Sequence, residues 1–266
     1  LGKIKRFLQV FIERITFVAP SEYTRNHWIY FYPEYANKVI VIPHQKAIGE
    51  YGGNKEAVSD KEALRLGFVG AQKHIKGWDV FRKIVEKSRH AGCKYEFYYF
   101  GNGKNELDGV KAVHVDIATQ GKDAMINALR EYNISAVFLV CVCGETYSYT
   151  AYESNAANCF IFAMASGGNI PYMVRKNKWG HVYSSEEELE HALLDEKELR
   201  EEINEWKLTA KPGATGYLDN AEIIKLFSVR LRGKINWKIK RTSPSQAIKR
   251  SILNKIFIIT RMKENK

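Results

Sequence analysis

AVFLVCVCGETYSYTAYE, residues 136–153, opens as an unbroken apolar run from Ala136 to Cys143 and ends with Glu145 and Glu153, eight positions apart. The run reads as a strand buried on both faces. Ser148–Asn158 reads as the helix behind it, which puts Glu145 where the strand ends and Glu153 about two turns into the helix. Ligands of open α/β sheets bind at the carboxyl ends of strands, where helix N-termini present N–H groups to anions. Two carboxylates flanking such a place suit a ligand that carries both phosphate and hydroxyls, and a nucleotide sugar fits. A helix-start acid favoured by the macrodipole, with an ordinary surface glutamate, explains the pair equally well.

Outward from this stretch, strand-like and helix-like segments alternate, which predicts an α/β fold: a Rossmann-like parallel sheet with helices on both faces. Strands are expected at Ile15–Ala19, Lys38–Pro43, Leu64–Val69, Tyr95–Phe100, Val110–Val115, Ala136–Cys143 and Cys159–Ala165. Helices are expected after Ser21, a suitable N-cap, and over Gly77–Ala91, Asp123–Tyr132, Ser148–Asn158, Glu186–Leu194 and Glu196–Thr209. A polar, glycine-bearing loop is expected from His44 to about Asp60.

The chain has 266 residues, 45% of them apolar, enough for a substantial core. No apolar stretch approaches the roughly 20 residues of a membrane-spanning helix. The N-terminus has no signal-peptide pattern, and Leu1 in place of Met suggests that the true start lies upstream. These features are expected of a cytoplasmic protein. Cys93, Cys141, Cys143 and Cys159 lack zinc-like spacing and read as free thiols in a reducing compartment, with Cys141 and Cys143 packed on one side of a strand.

Charge is uneven. Arg230 to Lys266 holds twelve Lys and Arg against Glu264 alone, which equals the whole formal net charge of +11. Ile248, Ile252, Leu253, Ile256 and Ile259 recur there at helical spacing. The pattern is that of an amphipathic helix on an anionic membrane surface, at the inner face, or against another domain. A solvated helix is the bland alternative. Nucleic acid is disfavoured, because no reader motif is present and the remainder is neutral.

The turn Gly70-Ala-Gln-Lys73-His-Ile-Lys76-Gly77 joins a strand to a helix. Gly70 lets backbone approach a ligand, Lys76 meets a phosphate at the helix start, and Lys73 adds a second charge. It lacks the Gly-Lys-Ser/Thr ending of a phosphate-binding Walker loop. Surface lysines beside turn glycines are common, so the turn alone decides little. Gly101-Asn-Gly103 ends a third strand and suits either the border of a nucleobase or a structural turn. No His/Asp/Glu cluster suggests a metal, so no metal or other cofactor is expected. Cationic side chains and helix dipoles would then neutralise the diphosphate.

In order, these segments resemble the C-terminal, donor-binding half of retaining glycosyltransferases of family 4, which have the GT-B fold. The matching stretches are Phe17 to Arg25, Lys38 to Pro43, Phe68 to Gly77, Tyr99 to Gly103, Glu145 to Glu153 and Ser166 to Gly168, within roughly residues 10–195. The resemblance implies sugar transfer, with retention, from a nucleoside diphosphate sugar to a hydroxyl of a glycan or lipid-linked acceptor, as in surface polysaccharide synthesis. It implies that Glu145 touches the donor sugar and Glu153 the ribose. Lys76 would pair with the diphosphate beside Gly70, and the amides of Tyr147, Ser148, Tyr149 and Thr150 would bind the β-phosphate. Glu145 and Lys76 would be the catalytic pair. Ala71 stands where many members have Arg. The implied organisation is a remnant of the acceptor domain over 1–20, the nucleotide-sugar domain over 21–229 and the basic tail over 230–266. The acceptor half would then lie upstream or on another chain. The alternative is a non-catalytic nucleotide-sugar-binding module that docks to a partner or membrane.

Overall fold

The computed structural model describes residues 2–51, 56–104, 107–211, 213–222 and 258–260. By its own contacts the chain divides into two compact units, Leu1–His44 with Asp219–Lys266, and Gln45–Leu218.

In the first unit, α1 (Gly2–Phe11) precedes a short βαβ element. Strand β1 (Ile15–Ala19) pairs in parallel with β2 (Val39–Val41), Phe17 opposite Val39, and α2 (Glu22–Phe31) connects them. Ser21 caps α2 as expected, its Oγ accepting the Thr24 N–H at 3.1 Å. Trp28 packs between Phe17 and Tyr32, ring centroids 4.6 and 4.5 Å away. The other edge of β1 takes β11 (Ile258–Thr260) antiparallel, Thr16 opposite Ile259. Ile259 is therefore extended rather than helical: pairing supplies the backbone partners that β1 exposes on that side. The rest of the basic segment after Glu222 lies outside the described residues.

The second unit is a six-stranded, wholly parallel sheet, β4 (Leu64–Val69), β5 (Tyr95–Gly101), β6 (Val110–His114), β7 (Ala136–Leu139), β8 (Phe160–Met164) and β9 (Gly180–Tyr183), in the order β6-β5-β4-β7-β8-β9. Alternation along each strand sends side chains to two cores. Leu64, Leu66, Phe68, Ala136 and Phe138 face α3 (Trp78–His90), α8 (Glu186–Leu194) and α9 (Glu196–Thr209). Val69, Val137, Leu139 and Ile161 face the opposite layer, α5 (Ala124–Glu131), α6 (Tyr149–Ala156) and α7 (Asn169–Asn177). The short α4 (Ile117–Gln120) precedes α5. The sheet thus has helices on both faces, and its central strands are apolar but for Arg65 near the start of β4, because their middles meet no water on either side.

Several local readings need correction. The strand from Ala136 stops at Leu139, since Val140 to Cys143 leave the sheet; Cys143 is exposed, while Cys141 is buried. Glu153 is the fifth residue of α6, little more than one turn in. Within the expected 44–60 loop, β3 (Gln45–Ile48) pairs with β10 (Gly216–Asp219), a contact between distant segments that no local pattern announces. No helix among the described residues is long and apolar enough to cross a membrane.

Candidate functional site

From β4 the chain steps outward to β5 and β6, then returns to place β7 on the other side of β4. The sheet's switch point therefore lies between β4 and β7, where the two exit loops diverge and leave a crevice. Both predicted site loops start there.

The 70–77 turn is stitched to the loop after β7. Val142 N–H donates to Ile75 O at 3.2 Å. Gly77 is left-handed (φ 81°), and a Cβ there would lie 2.2 Å from Val140 O, so only glycine admits this approach. Gly70 is also at positive φ (113°), but no atom lies within 4 Å of its would-be Cβ, so its outer face is open. The Gly101–Gly103 turn backs this loop: Gly103 N–H donates to Tyr99 OH at 3.2 Å, and a Cβ on Gly101 would come within 3.0 Å of Gly70 O.

This stitching carries Lys76 to Glu145, whose carboxylate Oε1 accepts from the ammonium. Glu145 is held from behind as well. Its N–H donates to Gly167 O at 3.2 Å, and its carbonyl accepts from Asn169 N–H at 2.8 Å. Gly168 is the residue that permits this bridge, at φ 73°, because a Cβ would sit 2.5 Å from Glu145 N. Burial is the largest single influence and disfavours the Lys76 charge, but the hydrogen bond to Glu145 and the negative charge around it together outweigh burial, and the ammonium titrates above the ordinary lysine value. Cys141 Sγ lies 3.6 Å from the same Glu145 oxygen. Burial first, then the Glu145 charge, pushes the thiol up to about 12, so it stays protonated and donates.

Helix α6 begins at the crevice. Ser148 Oγ caps it by accepting Ala151 N–H at 3.3 Å and sits 3.0 Å from Thr150 Oγ1. Gly70, Lys76, Cys141, Ser148 and Thr150 line one cavity of about 50 Å³ at the carboxyl ends of β4 and β7. The arrangement offers a cation, hydroxyls and the positive end of a helix dipole to an anion, with a carboxylate beside them for hydroxyl groups.

Other predicted residues lie outside that wall. Lys73 is exposed. Tyr147 is buried with its ring stacked on Tyr152, centroids 4.9 Å apart, and Tyr149 meets it edge-on at 5.1 Å. Glu153 is buried, and its carboxyl is pushed up to about 7, by burial first and then by Asp123. Among the described residues, no three His, Cys, Asp or Glu side chains form a metal-holding group. Neither Cys141 nor Gly168 is among the site residues expected from sequence, although both support Glu145. Gly168 carried a signal in the Ser166-Gly-Gly168 turn, whereas the Cys141 contact depends on where the chain leaves the sheet.

No protein-family model matches the chain, and no curated protein sequence does. Solved structures do match. The apo form of the lipopolysaccharide outer core galactosyltransferase WaaB is 12% identical, TM-score 0.53, over 73% of this chain and 56% of that one. WaaG, a glycosyltransferase involved in lipopolysaccharide biosynthesis, is 14% identical, TM-score 0.50, over 72% and 57%. A point mutant of S. aureus TarM, in complex with fondaparinux, alpha-GlcNAc-glycerol and UDP, is 11% identical, TM-score 0.53, over 73% and 40%. The chain spans little more than half the length of the first two and less than half of the third. The likeness is one of fold: the α/β architecture is that of the GT-B glycosyltransferases.

Proposed function

We propose that the 45–218 unit binds a nucleoside diphosphate sugar and serves as the donor half of a glycosyltransferase. The observation that carries this reading is the Lys76–Glu145 pair at the switch point, beside the capped N-terminus of α6. Support comes from the shared fold with glycosyltransferases, one of them solved with UDP.

In this reading the diphosphate lies over Gly70 and against Ser148 and Thr150. Lys76 turns from Glu145 to the phosphate oxygens. Glu145, released, accepts hydrogen bonds from the sugar hydroxyls. Glu153 serves the ribose, with Tyr147, Tyr149 and Lys73 at the margins. Transfer retains configuration: the departing diphosphate takes the acceptor proton, while Lys76 and the helix N-terminus stabilise the growing charge. Those groups carry the charge without a metal. The acceptor is a glycan or lipid-linked hydroxyl in surface polysaccharide synthesis, held by a domain upstream or on another chain. The protein works at the inner face of the membrane, where the basic 230–266 segment meets anionic lipid.

Titrating UDP- and GDP-sugars into the folded chain tests the donor site. Saturable binding by one of them, weakened at least tenfold by Lys76→Ala, is expected; no binding by any refutes the reading. A second reading, a non-catalytic module, is favoured by the engagement of Lys76 with Glu145 and by Ala71. The two separate on UDP release from a bound UDP-sugar: slow release abolished by Glu145→Ala marks an enzyme, and tight binding with no release marks a module.

A further inference from the structure

At the other edge of the 45–218 unit is a cavity of about 630 Å³, inside the ~300–1,000 Å³ span of small-ligand sites. Helices α6 and α7 start at the carboxyl edge of the sheet and end at its amino edge. Asn155 and Lys176 to Trp179, at their C-terminal ends, therefore sit by the amino ends of β8 and β9. This cavity shares no residue with the Lys76 crevice.

Three features of its wall converge on one ligand class. The first is aromatic. Trp179 is half-buried and meets Tyr152 edge-on at 5.5 Å, and Tyr152 meets Tyr217 edge-on at 5.4 Å. Trp206, also on the wall, is anchored by donating from Nε1 to Lys178 O at 2.7 Å, so its ring is ordered without a ligand. The second is polar: the amides of Gln45 and Asn155 flank the rings. The third is charge. Lys176, Lys178 and Lys211 are exposed around the opening, against Glu50 alone. Lys178 adopts a left-handed conformation (φ 56°), uncommon for a non-glycine residue, to end α7 at this rim.

We propose that this cavity binds an anionic saccharide. An indole face takes the C–H-rich face of a pyranose, the amides pair with hydroxyls, and the lysines hold carboxylate or phosphate substituents. A neutral glycan would leave the three cations without purpose. A nucleobase would be served by parallel rings that sandwich it, and the Tyr152–Trp179 and Tyr152–Tyr217 pairs instead stand at 76° and 81°. The site lies at the edge opposite the donor crevice and does not depend on the reading of that crevice.

Calorimetric titration of the full chain with tetragalacturonate, maltotetraose, inorganic phosphate and AMP tests it. Tetragalacturonate should bind saturably, at least tenfold more tightly than maltotetraose, and quench tryptophan fluorescence. Trp179→Ala should weaken that binding at least tenfold. The surface double variant Lys176→Glu/Lys211→Glu should do the same with an unchanged unfolding transition, while Lys76→Ala leaves it unaffected. Absence of saturable tetragalacturonate binding overturns the proposal. So does equal affinity for phosphate (a bare cationic patch), tighter binding of AMP (a nucleotide site), or full affinity in the lysine double variant. Nucleotide-sugar binding, measured on the same sample, reports the donor crevice separately.

Discussion

Lys76 and Glu145, 69 residues apart in the chain, form an ion pair across the gap between β4 and β7. The side chains are 37% and 17% exposed, so the pair is screened on the lysine side and contributes on the order of 1 kcal/mol. Its larger consequence is competitive, because the cation offered to a phosphate is already neutralised by a neighbouring carboxylate.

Glu145→Gln should therefore tighten binding of free UDP or pyrophosphate severalfold, by releasing Lys76, while weakening the matching UDP-sugar relative to UDP. Lys76→Ala should weaken both at least tenfold. Calorimetry on the three proteins checks this, and equal loss of UDP affinity in both variants would refute the competition.

Glu153 predicts a pH dependence of stability. Its folded carboxyl titrates at about 7 against 4.5 for the ordinary group. The folded state thus holds its proton more tightly than the unfolded chain. The contribution is full below about pH 4.5 and is lost as pH rises through 7, a span worth up to about 3 kcal/mol. Glu153→Gln should flatten that slope and become the more stable form at pH 8. Urea unfolding at pH 5, 6, 7 and 8 measures it, and parallel curves would remove Glu153 as the cause.

Two glycines in one turn should behave differently. Gly77→Ala combines a left-handed φ with a 2.2 Å overlap on Val140 O, and should cost about 3 kcal/mol. Gly70→Ala meets no atom within 4 Å and should cost about 1 kcal/mol, for backbone conformation alone. Its Cβ would stand where the diphosphate approaches, so donor affinity should fall more than stability does. Denaturant unfolding paired with nucleotide titration distinguishes the two.

Ser148→Ala removes the oxygen that accepts Ala151 N–H and should cost about 1 kcal/mol. Because Ser148 also lines the crevice, UDP affinity should fall in the same variant. Ser185→Ala removes the equivalent cap of α8 outside the crevice, and should match the stability loss with no effect on UDP.

Much of the sheet was legible because its signals are local. Leu64–Val69 is apolar apart from Arg65, with Gly70 at its end, and Glu186–Leu194 and Glu196–Thr209 carry acids in the first turn and apolar spacing, so these elements lie at the expected residues. Ala136–Cys143 misled over its last four positions because the loop leaving the sheet stays apolar, buried at Val140 and Cys141 and emerging at Cys143, and composition alone does not separate it from a strand. The Gln45–Ile48 strand carries no signal of its own, since its partner lies some 170 residues away.

The sequence by itself determined the alternation of strands and helices, the parallel sheet and the presence of two acids after a buried run, because periodicity and end signals are written within a few residues. Only the tertiary structure decided that Lys76 reaches Glu145, that Cys141 supports the same carboxylate and that Glu153 lies outside the small crevice. Those relations follow from strand order at the switch point and from close approaches at Gly77 and Gly168. They are set by long-range packing, to which a local pattern is blind.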